Sequence, residues 1–214
     1  MELLRSFLND ELGFNNVDDK IGQFKQYEKL VFEWNDKINL VSRKTESIEK
    51  YIIGSIYFLK DYPLKGNEKI VDVGTGGGLP GIPLKLLYPE LDLLLIDSIA
   101  KKINAVRDMI NRLSLTKIDA ITGRAEDFAD FLKYEGKFDY VTAKAVTTLA
   151  NLYKFSHKFL KLSGKFLCLK GGDLAEELNE LSKKYPEVQH KIIDFSFPEK
   201  YGLIEKKLVI LQKD

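Results

Sequence analysis

The chain has 214 residues, 44% of them hydrophobic and 30% charged, and a net charge of +1, which fits one α/β domain with an extension and excludes both a disordered chain and two independent domains. There is no run of about 18 apolar residues, and the start MELLRSFLNDEL has acids inside its apolar segment, so a membrane span or a secretory leader is not expected and a cytoplasmic location is. The single cysteine, Cys168, excludes a disulfide framework or a cysteine-based metal site within the chain.

The first sixty residues read as helical. Asp18 or Asp19 is placed to cap a helix whose apolar positions Ile21, Phe24, Leu30, Val31 and Trp34 fall at helical spacing, and Thr45 a second one carrying Ile48, Ile52, Ile56 and Leu59. Between them, Trp34 to Ser42 holds Asn35, Asp36 and Asn39, which favour turns. Residues 1–62 are therefore an N-terminal helical extension, and Tyr62 to Asn67, with Pro63 and Gly66, leads into a core over 63–214.

Ile70, Val71 and Val73 then read as a short buried strand ending in the glycine loop Gly74, Gly76, Gly77, Gly78. A helix follows near Pro80 to Leu87, and a second strand, Leu93 to Ile96, closes on Asp97. Glycines take positive φ without a Cβ penalty and let a backbone lie against a ligand, and an acid about 20 residues on can reach a ribose diol. The combination points to a bound adenosine. The spacing is G-x-G-x-G, since the position expected for a dinucleotide glycine is Leu79, and no Lys-Ser or Lys-Thr pair follows to meet phosphates. S-adenosyl-L-methionine has no phosphate and carries a sulfonium and an ammonium group, both of which favour carboxylates. Asp72 is placed for its methionine end and Asp97 for its ribose; the bland alternatives are that Asp72 caps the turn and Asp97 merely ends a strand.

Beyond Asp97 the pattern predicts a helix near Ala100 to Leu113, strands near Asp119 to Thr122 and Tyr140 to Ala143, a helix near Leu149 to Leu160 and a strand over Lys165 to Leu169. Asp173 is placed to cap a helix running to about Lys184, and Gln189 to Phe197 and Lys206 to Gln212 are two closing strands. Too few residues separate the last two for a helical crossover, so they pair antiparallel. The expected fold is α/β, a seven-stranded, mostly parallel sheet covered on both faces and ending in an antiparallel hairpin. It is similar to the Rossmann-like class I methyltransferase fold.

Charge is segregated along the sequence. Lys101, Lys102, Arg107, Arg112, Lys117 and Arg124 outnumber the acids between Ser98 and Glu126, and Val141 to Lys170 contains no acid against Lys144, Lys154, Lys158, Lys161, Lys165 and Lys170. On one face these bases would suit a phosphate backbone; around helices they are a solvated surface. His157 and His190 have no clustered acids or thiols beside them and read as surface or packing residues. Trp34 can stack on a base or pack, and Tyr153, Phe155 and Phe159 can face nucleic acid or the sheet.

Several strings together resemble one family, the bacterial ribosomal small-subunit methyltransferase G or glucose-inhibited division protein B family. They are WNDKINLVS from Trp34, VDVGTGGGLPGIPL from Val71, LIDSIAKK from Leu95, GRAEDF from Gly123, AKAV from Ala143 and LKGG from Leu169. The resemblance implies methyl transfer from S-adenosylmethionine to N7 of a guanine in 16S ribosomal RNA, with the RNA or the small subunit as partner of a monomer. It also implies cofactor contacts at Gly74, Leu79, Ala125, Glu126 and Lys144, with Gly76, Gly78, Asp97 and Ser98 completing the loop and the adenosine side. Two departures stand out: Lys144 where the family usually has arginine, which loses the planar fork, and Tyr51, Ile52, Ile53, Gly54, Ser55 where it usually has His-Ile-Leu-Asp-Ser.

Guanine N7 offers an in-plane lone pair, so methylation there needs no base and no covalent intermediate, and no catalytic residue is assigned. Cys168 lies within a strand, unlike the nucleophile of C5 methylation, and Thr142-Ala143-Lys144-Ala145 replaces the Asn/Asp-Pro-Pro-aromatic motif of amine methylation. Lys144 and Lys170, at the carboxyl ends of their strands, are expected to border the guanine. A ribose 2′-O or small-molecule methyltransferase, or a non-catalytic RNA- or ribosome-binding protein, remain the alternatives.

Overall fold

Alternating apolar runs and amphipathic stretches fold into a sheet covered on both faces, which the computed structural model describes for residues 1–127 and 132–213. Strands β1 (Lys69–Val73), β2 (Asp92–Asp97), β3 (Ile118–Thr122), β4 (Phe138–Lys144), β5 (Leu160–Lys170), β6 (Val188–Phe195) and β7 (Lys206–Lys213) lie in the order β3-β2-β1-β4-β5-β7-β6. The first five pair in parallel, and β7 runs antiparallel to both β5 and β6. Helices α1 (Glu2–Ser6), α2 (Asp18–Asn35) and α3 (Glu49–Ile56) precede the sheet; α4 (Gly81–Leu87), α5 (Ala100–Arg112), α6 (Leu149–Ser156) and α7 (Ala175–Lys184) connect its strands.

Successive strand residues point to opposite faces, and the buried residues divide accordingly. Ile70, Leu93, Leu95, Leu167 and Leu169 pack with α2, α3, α4 and α5, whereas Val71, Leu94, Val141, Phe166 and Cys168 pack with α6 and α7. The N-terminal helices thus share a hydrophobic cluster with the sheet: Leu4, Phe7, Phe24 and Ile52 are fully buried in it.

Polar contacts reinforce that seam. The Tyr27 hydroxyl, on α2, donates to the Gly77 carbonyl at 2.7 Å, and Lys20 Nζ reaches the Leu86 and Leu87 carbonyls at 3.3 and 3.0 Å. The Trp34 indole donates to Asp108 of α5 at 2.8 Å, with the Lys37 ammonium 4.8 Å from its ring centroid. Trp34 therefore packs and bonds within the protein. Among the described residues no helix is long and apolar enough to cross a membrane.

Several element ends differ from the sequence reading. Asp18 and Asp19 lie inside the first turn of α2, with Val17 at the cap, where their charge still complements the helix dipole. Thr45 caps nothing and instead pairs with the Tyr51 hydroxyl at 3.3 Å; the Ile48 N–H at the start of α3 is met by Glu28, a carboxylate from α2, at 2.9 Å. Asp173 sits one residue before the α7 cap, Leu174, yet still accepts the Ala175 N–H at 2.9 Å. Helix α6 stops at Ser156, and β5 starts at Leu160 because Leu160 pairs with Phe138 ahead of a register shift in the β4 ladder.

Tyr27 is fully buried, so Tyr27→Phe leaves the Gly77 carbonyl without its donor. Urea denaturation is expected to give a loss of about 1–2 kcal/mol.

Candidate active site

The site begins where β1 runs out. Gly74, Gly76 and Gly78 have φ of 71°, 57° and 94°, and the Gly74 and Thr75 N–H groups donate to the Ile96 carbonyl at 2.8 and 3.0 Å, joining the loop to β2. Gly74 is required twice over: a Cβ there would sit 2.6 Å from a Val146 methyl as well as strain the backbone. Asp97, 8% exposed at the end of β2, accepts the Gly76 N–H through Oδ2 and the Ile99 N–H through Oδ1, each at 2.9 Å. Each carboxylate oxygen retains lone-pair capacity after one such bond.

Beside Asp97 a cavity of about 430 Å³ opens between the carboxyl ends of β1 to β4, where strand order reverses and such sheets bind ligands. Gly74, Asp97, Ser98, Ala125, Glu126 and Lys144 all line it, from the ends of β2 and β4 and the segments that follow β1, β2 and β3. Sequence reasoning missed Ile99, Lys102, Arg124, Val146, Thr147, Leu152, Phe155 and Ser156, which also line it; only α6's helical periodicity hinted that Leu152 would face the sheet.

Five expected residues stand behind this lining. Asp72, 1% exposed, is in register with Thr142 across β1 and β4; its Oδ1 accepts the Thr142 hydroxyl at 3.1 Å, and its Oδ2 accepts the Gly81 N–H at 3.2 Å. It thus serves the start of α4. Gly76 is turned to Asp97, and the Gly78 and Leu79 N–H groups donate to the Thr75 carbonyl at 2.9 and 3.0 Å. Lys170, 9% exposed, binds the Thr147 carbonyl and, at 2.7 Å, Glu177, which also accepts the Leu149 N–H. Its ammonium fixes the β4–α6 loop from below and does not border the cavity. Gly81 is a further missed position, since a Cβ there would come 2.3 Å from a Leu95 methyl carbon. Phe128 of the GRAEDF string lies outside the described residues.

Burial sets the electrostatics. It pushes the Asp72 carboxyl up to about 6, against hydrogen bonds from Thr142 and Gly81 and the charge of Lys144; the Thr75 hydroxyl lies close by but completes no hydrogen bond. Lys144 is pushed below the ordinary lysine value by its own desolvation, opposed by Asp72 and reinforced by Lys206. Cys168 is fully buried and its thiol is pushed up to about 12. No cluster of three His, Cys, Asp or Glu able to hold a metal occurs among the described residues. A carboxylate with lone pairs to spare, a close backbone at Gly74, and an apolar wall of Ile99, Ala125, Leu152 and Phe155 are the features an adenosine requires, and the volume suits a small ligand.

The basic runs do not form one face. Arg112 pairs with Glu33, Lys117 with Glu90, Lys161 with Asp139 and Lys170 with Glu177, and Arg107 donates to the Ala120 carbonyl. Tyr153 and Phe159 are buried against the sheet, and His157 stacks on Tyr153 with its centroid 5.1 Å away.

Topology and site together define the fold of the class I S-adenosylmethionine-dependent methyltransferases. Solved structures of this fold include the TYW2 protein of M. jannaschii in complex with AdoMet, at 17% identity and a TM-score of 0.54 over 75% of this chain and 77% of that one. Another is a precorrin-6y C5,15-methyltransferase of Geobacter metallireducens, at 12% identity and a TM-score of 0.55 over 84% and 96%. Within that class the chain belongs to the rRNA small subunit methyltransferase G family, whose model matches residues 20–203. Relatives named ribosomal RNA small subunit methyltransferase G include that of Clostridium novyi, 42% identical over 72% of this chain and 63% of that protein. That of Lachnoclostridium phytofermentans is 37% identical over 94% and 85%.

Asp72 makes a pH signature. Its folded value of about 6 lies above the ordinary 3.8, so the folded state holds the proton more tightly. Its contribution is complete below about pH 4 and is lost as pH rises through 6. Asp72→Asn should therefore gain on the unchanged protein by about 3 kcal/mol between pH 4 and pH 7, read from urea denaturation at each pH.

Proposed function

We propose that this protein transfers the methyl group of S-adenosylmethionine to N7 of a guanine in 16S ribosomal RNA, as a monomer acting in the cytoplasm on the RNA or the small ribosomal subunit. The observation that carries the reading is Asp97 joined to the Gly74–Gly78 loop beside a cavity at the switch point of the sheet, in a chain of the rRNA small subunit methyltransferase G family. When bound, the cofactor supplies an electrophilic methyl group on a sulfonium. Asp97 holds the ribose hydroxyls with the lone pairs left by Gly76 and Ile99. Gly74 admits the cofactor to the backbone, and Ser98, Ala125 and Glu126 border the adenosine. Asp72, Gly78 and Leu79 hold the shape of the loop and the start of α4 from behind.

Lys144 reaches the cavity from the end of β4, and Lys102 and Arg124 line it as well. An ammonium there can donate to guanine O6 while leaving the N7 lone pair available, and that lone pair needs orientation rather than a base. Lys170 contributes by holding the loop that follows Lys144. The RNA approaches over α3 and the start of β7, where Lys50 and Lys206 make no ion pair among the described residues. Lys206 packs beside Gly54 of α3, where a Cβ would lie 3.6 Å from its Cε, and Lys50 lies on the same helix beside Gly202. The target guanine lies in a loop or opened segment, because the N7 edge is inaccessible in the deep groove of duplex RNA.

Transfer of tritiated methyl to small subunits, deproteinised 16S RNA and free nucleosides tests this. The label is expected in 7-methylguanosine after digestion of the RNA; label in a 2′-O-methyl nucleoside, in free nucleosides alone, or in no RNA overturns it. Lys144→Ala should lower kcat/KM for RNA by about 10- to 100-fold, the loss of one charge-assisted hydrogen bond, with Lys144→Arg retaining most of the activity. Lys50→Glu should weaken RNA binding and flatten its salt dependence while leaving the calorimetric affinity for S-adenosylmethionine unchanged.

A further inference from the structure

The string WNDKINLVS takes no part in the methyl-transfer site, yet it forms one side of a second cleft, of about 320 Å³. Phe32, Asn35 and Asp36 line this cleft from the end of α2, and Arg43 and Thr45 from the segment leading to α3. Asn35 is 9% exposed, and its Oδ1 accepts the Leu40 and Val41 N–H groups at 2.8 and 3.0 Å. Those donors fix which end of the amide is oxygen. The Nδ2 group makes no hydrogen bond among the described residues and remains accessible. Asp36 follows the last turn of α2, where the helix dipole disfavours an anion and no basic residue offsets it. Its carboxylate has neither an ion pair nor a hydrogen bond among the described residues, and Arg43, in the same cleft, has none either.

An anion and a cation that share a cleft without meeting, one of them misplaced on its helix, are unfavourable for the protein alone, and such local conflicts mark functional sites. The cleft offers the acceptor oxygens of Asp36, the free amide donor of the preceding Asn35, the ring of Phe32 and the guanidinium of Arg43. Single-stranded RNA is recognised by stacking splayed bases on aromatic rings and bonding their Watson–Crick edges. Among RNA bases only guanine presents neighbouring donors, N1–H and the N2 amine, beside an acceptor, O6, and that edge matches a carboxylate next to an amide nitrogen. We propose that this cleft is a second RNA subsite, taking an unstacked guanine nucleotide other than the one methylated, with its base edge on Asp36 and Asn35 and its phosphate on Arg43. The inference rests on the RNA methyltransferase reading. The surroundings suit RNA: the Thr45 hydroxyl pairs with that of exposed Tyr51 at 3.3 Å, and Lys44 and Lys50, next to them in sequence, make no ion pair among the described residues. The cleft thus extends the approach over α3.

Titration calorimetry on the intact protein, with the first cavity saturated by S-adenosylhomocysteine, reads the cleft with guanosine 5′-monophosphate as the probe. That nucleotide is expected to bind more tightly than inosine 5′-monophosphate, which lacks the N2 amine. Asp36→Asn should weaken it about 10-fold or more, the loss of a charge-assisted hydrogen bond, and erase its advantage over the inosine nucleotide. The same variant should melt at an equal or higher temperature, because an anion has left the end of α2, so the weaker binding is not a damaged fold. In methyl transfer Asp36→Asn should raise KM for RNA without lowering kcat. No binding of guanosine 5′-monophosphate to the saturated protein, a preference over the inosine nucleotide that survives Asp36→Asn, or an unchanged KM for RNA overturns the subsite. Binding and discrimination as expected in a protein that methylates no RNA overturn the methyltransferase reading instead.

Discussion

The site depends on one carboxylate. Asp97 accepts a backbone N–H from the glycine loop and another from the turn after β2, so a single charged group fixes two loops, while the Ile96 carbonyl of β2 holds the start of the glycine loop. Hydrogen bonds to a charged acceptor are worth about 1.5–3 kcal/mol each, which suffices to hold glycines that have little conformational preference of their own. From the far side, Tyr27 grips the Gly77 carbonyl and Leu40 lies against Gly77. The loop is therefore clamped between the sheet and the N-terminal helices. This explains why those helices share a core with the sheet: they brace the backbone on which a ligand would rest.

Much of this was legible because local pattern and tertiary structure agree. The strand, loop, helix, strand and acid from Lys69 to Asp97 were readable from apolar runs and glycine spacing, and six of the expected residues meet at one cavity. What escaped was set by contacts across the sequence. Glu28 satisfies the start of α3 from twenty residues away, a partner no cap motif can reveal. Asp72 reads as a ligand from its place before the glycines, but strand register sets it opposite Thr142, and the carboxylate turns to that hydroxyl and to Gly81. Lys170 reads as a pocket residue from its position at a strand end; Glu177, one turn into α7, draws its ammonium under the loop. The wall from α6 was only faintly marked: Leu152 and Ser156 carry no motif, Phe155 reads as facing either nucleic acid or the sheet, and all three acquire their place from the packing of the helix.

Charge gives the same lesson. The bases that crowd the middle of the sequence find acids from distant elements, such as Glu33 for Arg112 and Asp139 for Lys161. A linear excess is thus largely cancelled in space. Lys50 and Lys206 sit in stretches with no evident bias, yet they remain unpaired among the described residues. Lys206 also adds to the field that lowers the affinity of Lys144 for its proton. The departures at Gly54 and Lys144 belong to this environment: position 54 faces Leu203 and Lys206, and a glycine there brings no carboxylate to Lys206.

Cys168 lies in β5 between two paired neighbours, sealed from solvent and with its thiol held protonated far above neutral pH. Alkylating reagents and maleimide dyes act on accessible thiolates, so the native molecule is silent toward them. A cysteine placed at fully exposed Leu162 would then be a unique attachment point for a fluorophore, with no need to remove the natural one.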